Sequence, residues 1–244
     1  MTGEGSKRSG ALDGRTALVT GASRGIGAAA AKALAAEGAH PILVARTKGG
    51  LEEVDDEIRR RGAGASATLV QMDLGDLGRI DDLGAAVLER FGGLDILVAN
   101  AAVLGPLTPM GHYPPEQWDE VMRINVSANW HLIRIFDPLL RRSDAGRAAF
   151  VTSGVASSVF PYWGAYATSK AALEMMVRVW AAEVAKTKLR VNLLDPGVVR
   201  TRMRAQAFPG EDPETLPPPE SLGPLFVELA SPGLRRHGEV VRAY

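Results

Sequence analysis

Thr20-Gly21-Ala22-Ser23-Arg24-Gly25-Ile26-Gly27 follows without a break on an apolar run, Thr16–Thr20, and opens into small residues, Ala28–Ala31. The order is strand, glycine-rich turn, helix. Glycine has no Cβ, so the backbone can turn tightly and come close to a phosphate. The free N–H groups and positive dipole end of the following helix attract that same negative charge. The spacing is Gly-x-x-x-Gly-x-Gly rather than the commoner Gly-x-Gly-x-x-Gly. Such turns also serve as plain punctuation. The position of this one, between a first strand and a helix of small residues, favours phosphate binding.

Outward from the turn, apolar runs alternate with longer amphipathic stretches. Thr16–Thr20, Pro41–Ala45, Ala67–Met72, Ile96–Ala99, Ala148–Thr152 and Leu189–Leu194 are short and apolar on both sides, as strands of a buried parallel sheet are. Helical patterns run near Ile26–Glu37, Leu51–Arg61, Ile80–Phe91, Pro115–Arg142 and Ala165–Thr187, and Glu239–Arg242 reads as a seventh strand. Regular alternation implies right-handed crossovers and helices on both faces. The expectation is an α/β, three-layer αβα fold around a doubly wound, mostly parallel, seven-stranded sheet. One domain covers residues 12–244, behind a flexible Gly/Ser-rich tail over residues 1–11. Phe208–Pro219, dense in Pro, Asp and Glu, reads as a loop.

Composition removes several classes of function. Lys plus Arg and Asp plus Glu both number 28, and no basic run offers a footprint for nucleic acid. Arg59-Arg60-Arg61 reads as the solvated end of a helix. The chain has no cysteine, so disulfides, thiolate metal sites and cysteine nucleophiles are excluded. Its four histidines are scattered without ligand spacing, so no metal is expected. No apolar run approaches a membrane span, and the first ten residues lack the apolar core of a signal peptide. A cytoplasmic protein is expected.

In doubly wound sheets ligands bind at the carboxyl ends of the strands, where strand order reverses. At the end of the second strand an NAD site wants Asp or Glu for the ribose 2′-hydroxyl. Arg46 stands there instead, and Arg24 lies inside the phosphate loop. Guanidinium groups pair with phosphate in a charge-assisted fork, which favours NADP(H), with NAD(H) as second choice. The plain alternative is an arginine that solvates a strand end.

Tyr166-Ala-Thr-Ser-Lys170 places a phenol and an ammonium one helical turn apart on one face. A phenol titrates at about 10, and a neighbouring cation lowers that value toward one useful for acid–base work. Alone, the spacing is close to coincidence. Ser153 follows the strand Ala148–Thr152 and so reaches the edge that carries the glycine loop, where its hydroxyl can meet a substrate oxygen. An ordinary turn serine is the alternative. Asn125 is polar in an otherwise apolar helical stretch, a functional candidate or a satisfied helix asparagine.

Taken in order, the Gly21/Gly25/Gly27 loop, Asp73, Asn100-Ala101-Ala102, Asn125, Ser153, Tyr166/Lys170 and Pro196-Gly197 with Thr201 resemble the short-chain dehydrogenase/reductase family, from about Leu12 to Val241. The resemblance implies a Rossmann fold and a tetrad of Asn125, Ser153, Tyr166 and Lys170. Tyr166 would be the acid–base and Ser153 would position the carbonyl. Lys170 would bind the nicotinamide ribose and lower the Tyr166 pKa, and Asn125 would support a water in the proton relay. The cofactor would be wrapped by Gly21, Ser23, Arg24, Gly25, Ile26 and Gly27. Arg46, Asp73 and Leu74 would lie toward the adenosine, with Asn100 and Ala101 in the cleft. Pro196, Gly197, Val199 and Thr201 would hold the carboxamide end. A homodimer or homotetramer built on the two long helices is implied. Ala102 departs from the family's glycine there, and the segment after Thr201 is short, so any lid is modest. Leu140–Lys170 and Arg200–Pro213 are further similar to an enterobacterial subgroup of unassigned substrate.

Val155, Leu104, Pro161, Tyr162, Trp163, Met203 and Phe208 are expected to wall the substrate pocket, which suits an apolar carbonyl compound or alcohol. Tyr162 and Trp163 have a rival role as interface anchors. Arg200, Arg202 and Arg204 are read as solvated, or else as an anion trap. A non-catalytic nucleotide-binding regulator is the alternative function, marked by a missing tetrad residue. None is missing.

Overall fold

The computed structural model describes residues 10–62 and 66–244. Residues 1–9 of the expected tail lie outside the described residues. Seven strands form one sheet: β1 (Thr16–Thr20), β2 (His40–Ala45), β3 (Thr68–Gln71), β4 (Ile96–Ala99), β5 (Arg147–Val151), β6 (Arg190–Asp195) and β7 (Val240–Arg242). Their order is β3-β2-β1-β4-β5-β6-β7, and every pairing is parallel. The order reverses between β1 and β4, which opens a crevice at their carboxyl ends.

Each strand faces two cores. Val19, Leu43, Val98 and Leu194 point to one, covered by Leu34 of α1 (Gly25–Ala36), Val54 of α2 (Lys48–Arg61) and Phe226 of α8 (Gly223–Ala230). Leu18, Ile42, Leu97 and Leu193 point to the other. That side is covered by α3 (Gly78–Phe91), α5 (Ala128–Leu140) and α6 (Gly164–Val184) through Leu83, Phe136 and Trp180. Two buried faces per strand explain the unbroken apolar runs. β3 is the exception. It lies at the edge, alternates in burial, and ends one residue inside the expected limit on each side.

The stretch expected as one helix over Pro115–Arg142 is divided. α4 (Pro115–Met122) starts with proline at its first position, where the missing N–H has no partner to lose. It passes into a wide π-turn, Arg123–Ser127, before α5. α7 (Arg202–Ala207) is a short helix that periodicity did not reveal, and Thr201 caps it by accepting from Arg204 N at 3.1 Å. The expected loop at Phe208–Pro219 contains a single 3-10 turn, Pro213–Thr215, and leads into a second at Pro219–Leu222. Among the described residues no helix is long and apolar enough to cross a membrane, and no cluster of His, Asp and Glu is arranged to hold a metal.

Candidate active site

The glycine loop is locked to the end of β4. A Cβ at Gly21, where φ is 66°, would stand 2.8 Å from Asn100 Nδ2. At Gly27 a Cβ would stand 2.3 Å from the Gly21 carbonyl oxygen, so only glycine lets α1 approach this closely. Asn100 Nδ2 donates to Thr20 O at 3.0 Å, and Thr20 Oγ1 accepts from Asn100 N and Ala101 N at 3.0 and 3.1 Å. Thr20 is a positioning residue that sequence reasoning missed. Its only signal was a hydroxyl at the last position of an apolar strand.

Past β2, Arg46 and Asp73 meet across the cleft mouth, Arg46 Nη1 lying 3.8 Å from Asp73 Oδ2. The other Asp73 oxygen accepts from Gly75 N at 2.8 Å. Arg24 takes the N-cap position of α1 in extended backbone, its side chain exposed at the loop.

Tyr166 and Lys170 are both buried, and Lys170 Nζ lies 5.6 Å from the phenol ring centroid. The ammonium donates to Val151 O at 2.8 Å. Burial pushes the Tyr166 phenol up to about 12; a hydrogen bond with Ser153 opposes this and the Asp195 carboxylate adds to it. Burial likewise draws Lys170 down to about 8, with Glu174 restoring part of its proton affinity. The lowered tyrosine expected from the spacing is therefore not what the site contains. Loss of water is the largest influence at both groups, outweighing the Ser153 hydrogen bond at Tyr166 and the Glu174 charge at Lys170, and spacing along a helix carries no information on water. Ser153 follows β5, and its hydroxyl accepts from Val155 N at a long 3.5 Å.

Asn125 is fully buried in the π-turn. Its Oδ1 accepts from Val103 N at 2.9 Å, and its Nδ2 donates to Val103 O at 2.9 Å and to Ser169 Oγ at 3.0 Å. The Ser169 hydroxyl in turn donates to Tyr166 O at 2.8 Å, and Asn129 Nδ2 donates to Asn125 O at 2.8 Å. Asn125 thus sits behind the cleft, joined to α6 through Ser169, a second residue the sequence did not single out.

A single cavity of about 1230 Å³ runs along the carboxyl edge of the sheet. It is lined by Gly21, Ser23, Arg24, Gly25 and Ile26, by Arg46, Asp73 and Leu74, and by Asn100 and Ala101. Ser153, Tyr166 and Lys170 face it as well, as do Pro196, Gly197, Val199 and Thr201. Gly27 and Asn125 do not line it. Of the expected substrate wall, Leu104, Trp163 and Met203 do, while Val155, Pro161, Tyr162 and Phe208 lie outside it. Phe208 stacks behind Trp163, with ring centroids 5.8 Å apart. Two of the three arginines read as solvated are instead paired: Arg200 with Glu214 and Arg204 with Glu211, each at 2.6 Å. At the far end of the cavity Lys32 holds Glu57 and Glu220 at 2.9 and 3.0 Å.

A glycine loop at a topological switch point, facing a buried Tyr/Lys pair across one cleft, defines a nucleotide-dependent oxidoreductase. The chain belongs to the short chain dehydrogenase family, whose pattern matches residues 15–212. It is similar to the oxidoreductase YciK of Escherichia coli (strain K12), 38% identical over 226 residues that cover 92% of this chain and 89% of that one. A short chain dehydrogenase structure from Pseudomonas syringae superposes with a TM-score of 0.93 at 39% identity, covering 100% of both chains. One from Shigella flexneri 2a, complexed with NADP, gives 0.92 at 38% identity and covers 97% of this chain and 99% of its own.

Proposed function

We propose that the protein is an NADP(H)-dependent reductase that interconverts a carbonyl and a secondary alcohol, with Tyr166 as acid–base. One observation carries the reading: Ser153, Tyr166 and Lys170 face the same cavity as the glycine loop. The loop side fits a phosphorylated dinucleotide, because Gly21 leaves no space for a side chain and Arg24 and Arg46 stand at the mouth. Arg46 meets Asp73 only as an exposed pair, worth about 0–1 kcal/mol. A 2′-phosphate offers a charge-assisted bond of about 1.5–3 kcal/mol and takes the arginine. The relative from Shigella flexneri complexed with NADP supports the same choice.

When bound, the nicotinamide nucleotide supplies or accepts the hydride. The chain's own groups handle the proton. Tyr166 keeps its proton up to about pH 12, so at neutral pH it is a donor to a carbonyl oxygen that is gaining negative charge. The Ser153 hydroxyl binds that same oxygen and orients it. Lys170 holds the ribose end and carries its positive charge below about pH 8. Asn125 and Ser169 fix the catalytic turn of α6 from behind.

NADPH is expected to raise the melting temperature more than NADH at equal concentration; equal shifts would remove the arginine argument. Replacing Tyr166 with Phe should abolish NADPH consumption on a carbonyl panel while that shift persists. Retained turnover would sink the mechanism. The exposed faces of α5 and α6, with Trp130, Met175 and Val179, are read as joining the subunits of a homodimer or homotetramer.

A further inference from the structure

Tyr162 has a φ of 74°, alone among the described non-glycine residues in the left-handed region. Its own ring is exposed, so the conformation is not held by packing of that side chain. Strained backbone of this kind persists where the surroundings over-determine it. Here the surroundings are visible on two sides. Thr108 N donates to Tyr162 O at 3.1 Å, and Met110 packs so closely that a Cβ at Gly164 would stand 2.7 Å from its Sδ.

The strained turn delivers Trp163. Its ring lines the cleft, 6.0 Å from the Tyr166 ring and 5.8 Å from that of Phe208, just past α7, centroid to centroid. Phe208 is fixed in turn by the Arg204 guanidinium, 3.7 Å from its ring centroid and bonded to both oxygens of Glu211. Leu104 and Met203 line the same cleft as Trp163 and Tyr166, and these apolar side chains make up its apolar slot.

Two arginines of the segment after Val199, Arg200 and Arg204, are bound by that segment's own Glu214 and Glu211. Arg202, next in the chain to Met203, also lines the cleft; it is exposed and has no carboxylate partner among the described residues.

Resting on the reductase reading above, we propose that Trp163 determines specificity and that the substrate is a flat, uncharged, apolar carbonyl compound, an aryl or cyclic ketone or aldehyde. The hydrophobic face stacks on Trp163 while its oxygen meets Tyr166 and Ser153. Anionic carbonyls, such as 2-oxo acids, are poor substrates because the slot desolvates a carboxylate without pairing it.

The test compares kcat/KM with NADPH for neutral aryl and cyclic carbonyls against 2-oxo acids of matched size. The neutral set is expected to lead by about 100-fold, the scale of discrimination an unpaired buried polar group produces. Trp163→Ala should raise KM for the neutral set about tenfold with a much smaller change in kcat, whereas Trp163→Phe keeps most of the affinity. NADPH affinity, followed by nucleotide fluorescence, should stay within about twofold in both variants, which reports that each has folded. A preference for 2-oxo acids, lost in Arg202→Gln, overturns the specificity assignment and makes Arg202 the anchor. An unchanged KM in Trp163→Ala overturns it as well. The reductase reading fails separately, through absent NADPH binding or turnover that survives Tyr166→Phe.

Discussion

Tyr166 is pushed up to about 12 and Lys170 down to about 8 by the same cause, removal of water, and both shifts disfavour charge in the cleft. The stability consequences run in opposite pH windows. Between about pH 8 and 10.5 the unfolded chain holds the Lys170 proton more firmly than the folded one, so this group's contribution rises with pH across that range. Tyr166 acts the other way. Its contribution is fully present below about pH 10 and is lost as pH rises toward 12. At neutral pH the buried ammonium therefore costs about 3 kcal/mol net. Lys170→Met should raise the melting temperature at pH 7 by several degrees while abolishing turnover, and its advantage should shrink as pH approaches 10.5. A lower melting temperature at pH 7 would show that the lysine is not a burden on the fold. The Tyr/Lys spacing was plain in the sequence; the direction of both shifts was not, because it depends on walls contributed by distant strands.

Among the elements, strand alternation made most of the sheet legible, since Ala17 and Val19 face one core and Leu18 the other. What escaped were features without periodicity. The π-turn at Arg123–Ser127 has no Gly or Pro to announce it, and α7 is too short to show a repeat. Also hidden was the way helices are tied at the opposite edge of the sheet. Arg147, at the start of β5, is buried and donates to the carbonyls of Gly146, Lys188, Ser231 and Pro232. Burial draws its pKa down to about 10, with Arg190 and Arg15 adding repulsion and Asp144 opposing it. Ser231 caps α8, so the guanidinium binds one helix end whose dipole favours a cation, and through Lys188 O it also ties the turn between α6 and β6. Arg147→Lys keeps a positive charge but loses the planar fork, and Arg147→Met loses both. Each is expected to lower stability by about 2–4 kcal/mol in urea titration, because several buried carbonyls go unpaired. A loss below about 0.5 kcal/mol in both would mean that water replaces the fork.

For the molecule as a whole, the two cores share a sheet whose carboxyl edge is given over to one cleft, and that division was readable from strand–helix alternation alone. Assembly was not, since it depends on surfaces rather than on the chain's periodicity. Met175 and Val179 are exposed at 63% and 50%, one turn apart on α6, and Trp130 is exposed at 49% on α5. Replacing Met175 and Val179 together with Glu should convert the proposed homodimer or homotetramer to a monomer by light scattering while the circular dichroism spectrum is kept. Unchanged mass would remove α6 from the interface.

The segment from Arg200 to Glu214 closes its own ion pairs, Arg200 with Glu214 and Arg204 with Glu211, and a further ion pair lies beyond its end, where Lys32 holds Glu220. It can swing as one unit without parting a single charge from its partner. Among the ties that resist the swing is the contact of two rings, Phe208 tilted against Trp163. Salt is then a poor lever on the door of this cleft, and an oily guest that wedges between two aromatic faces is the natural key.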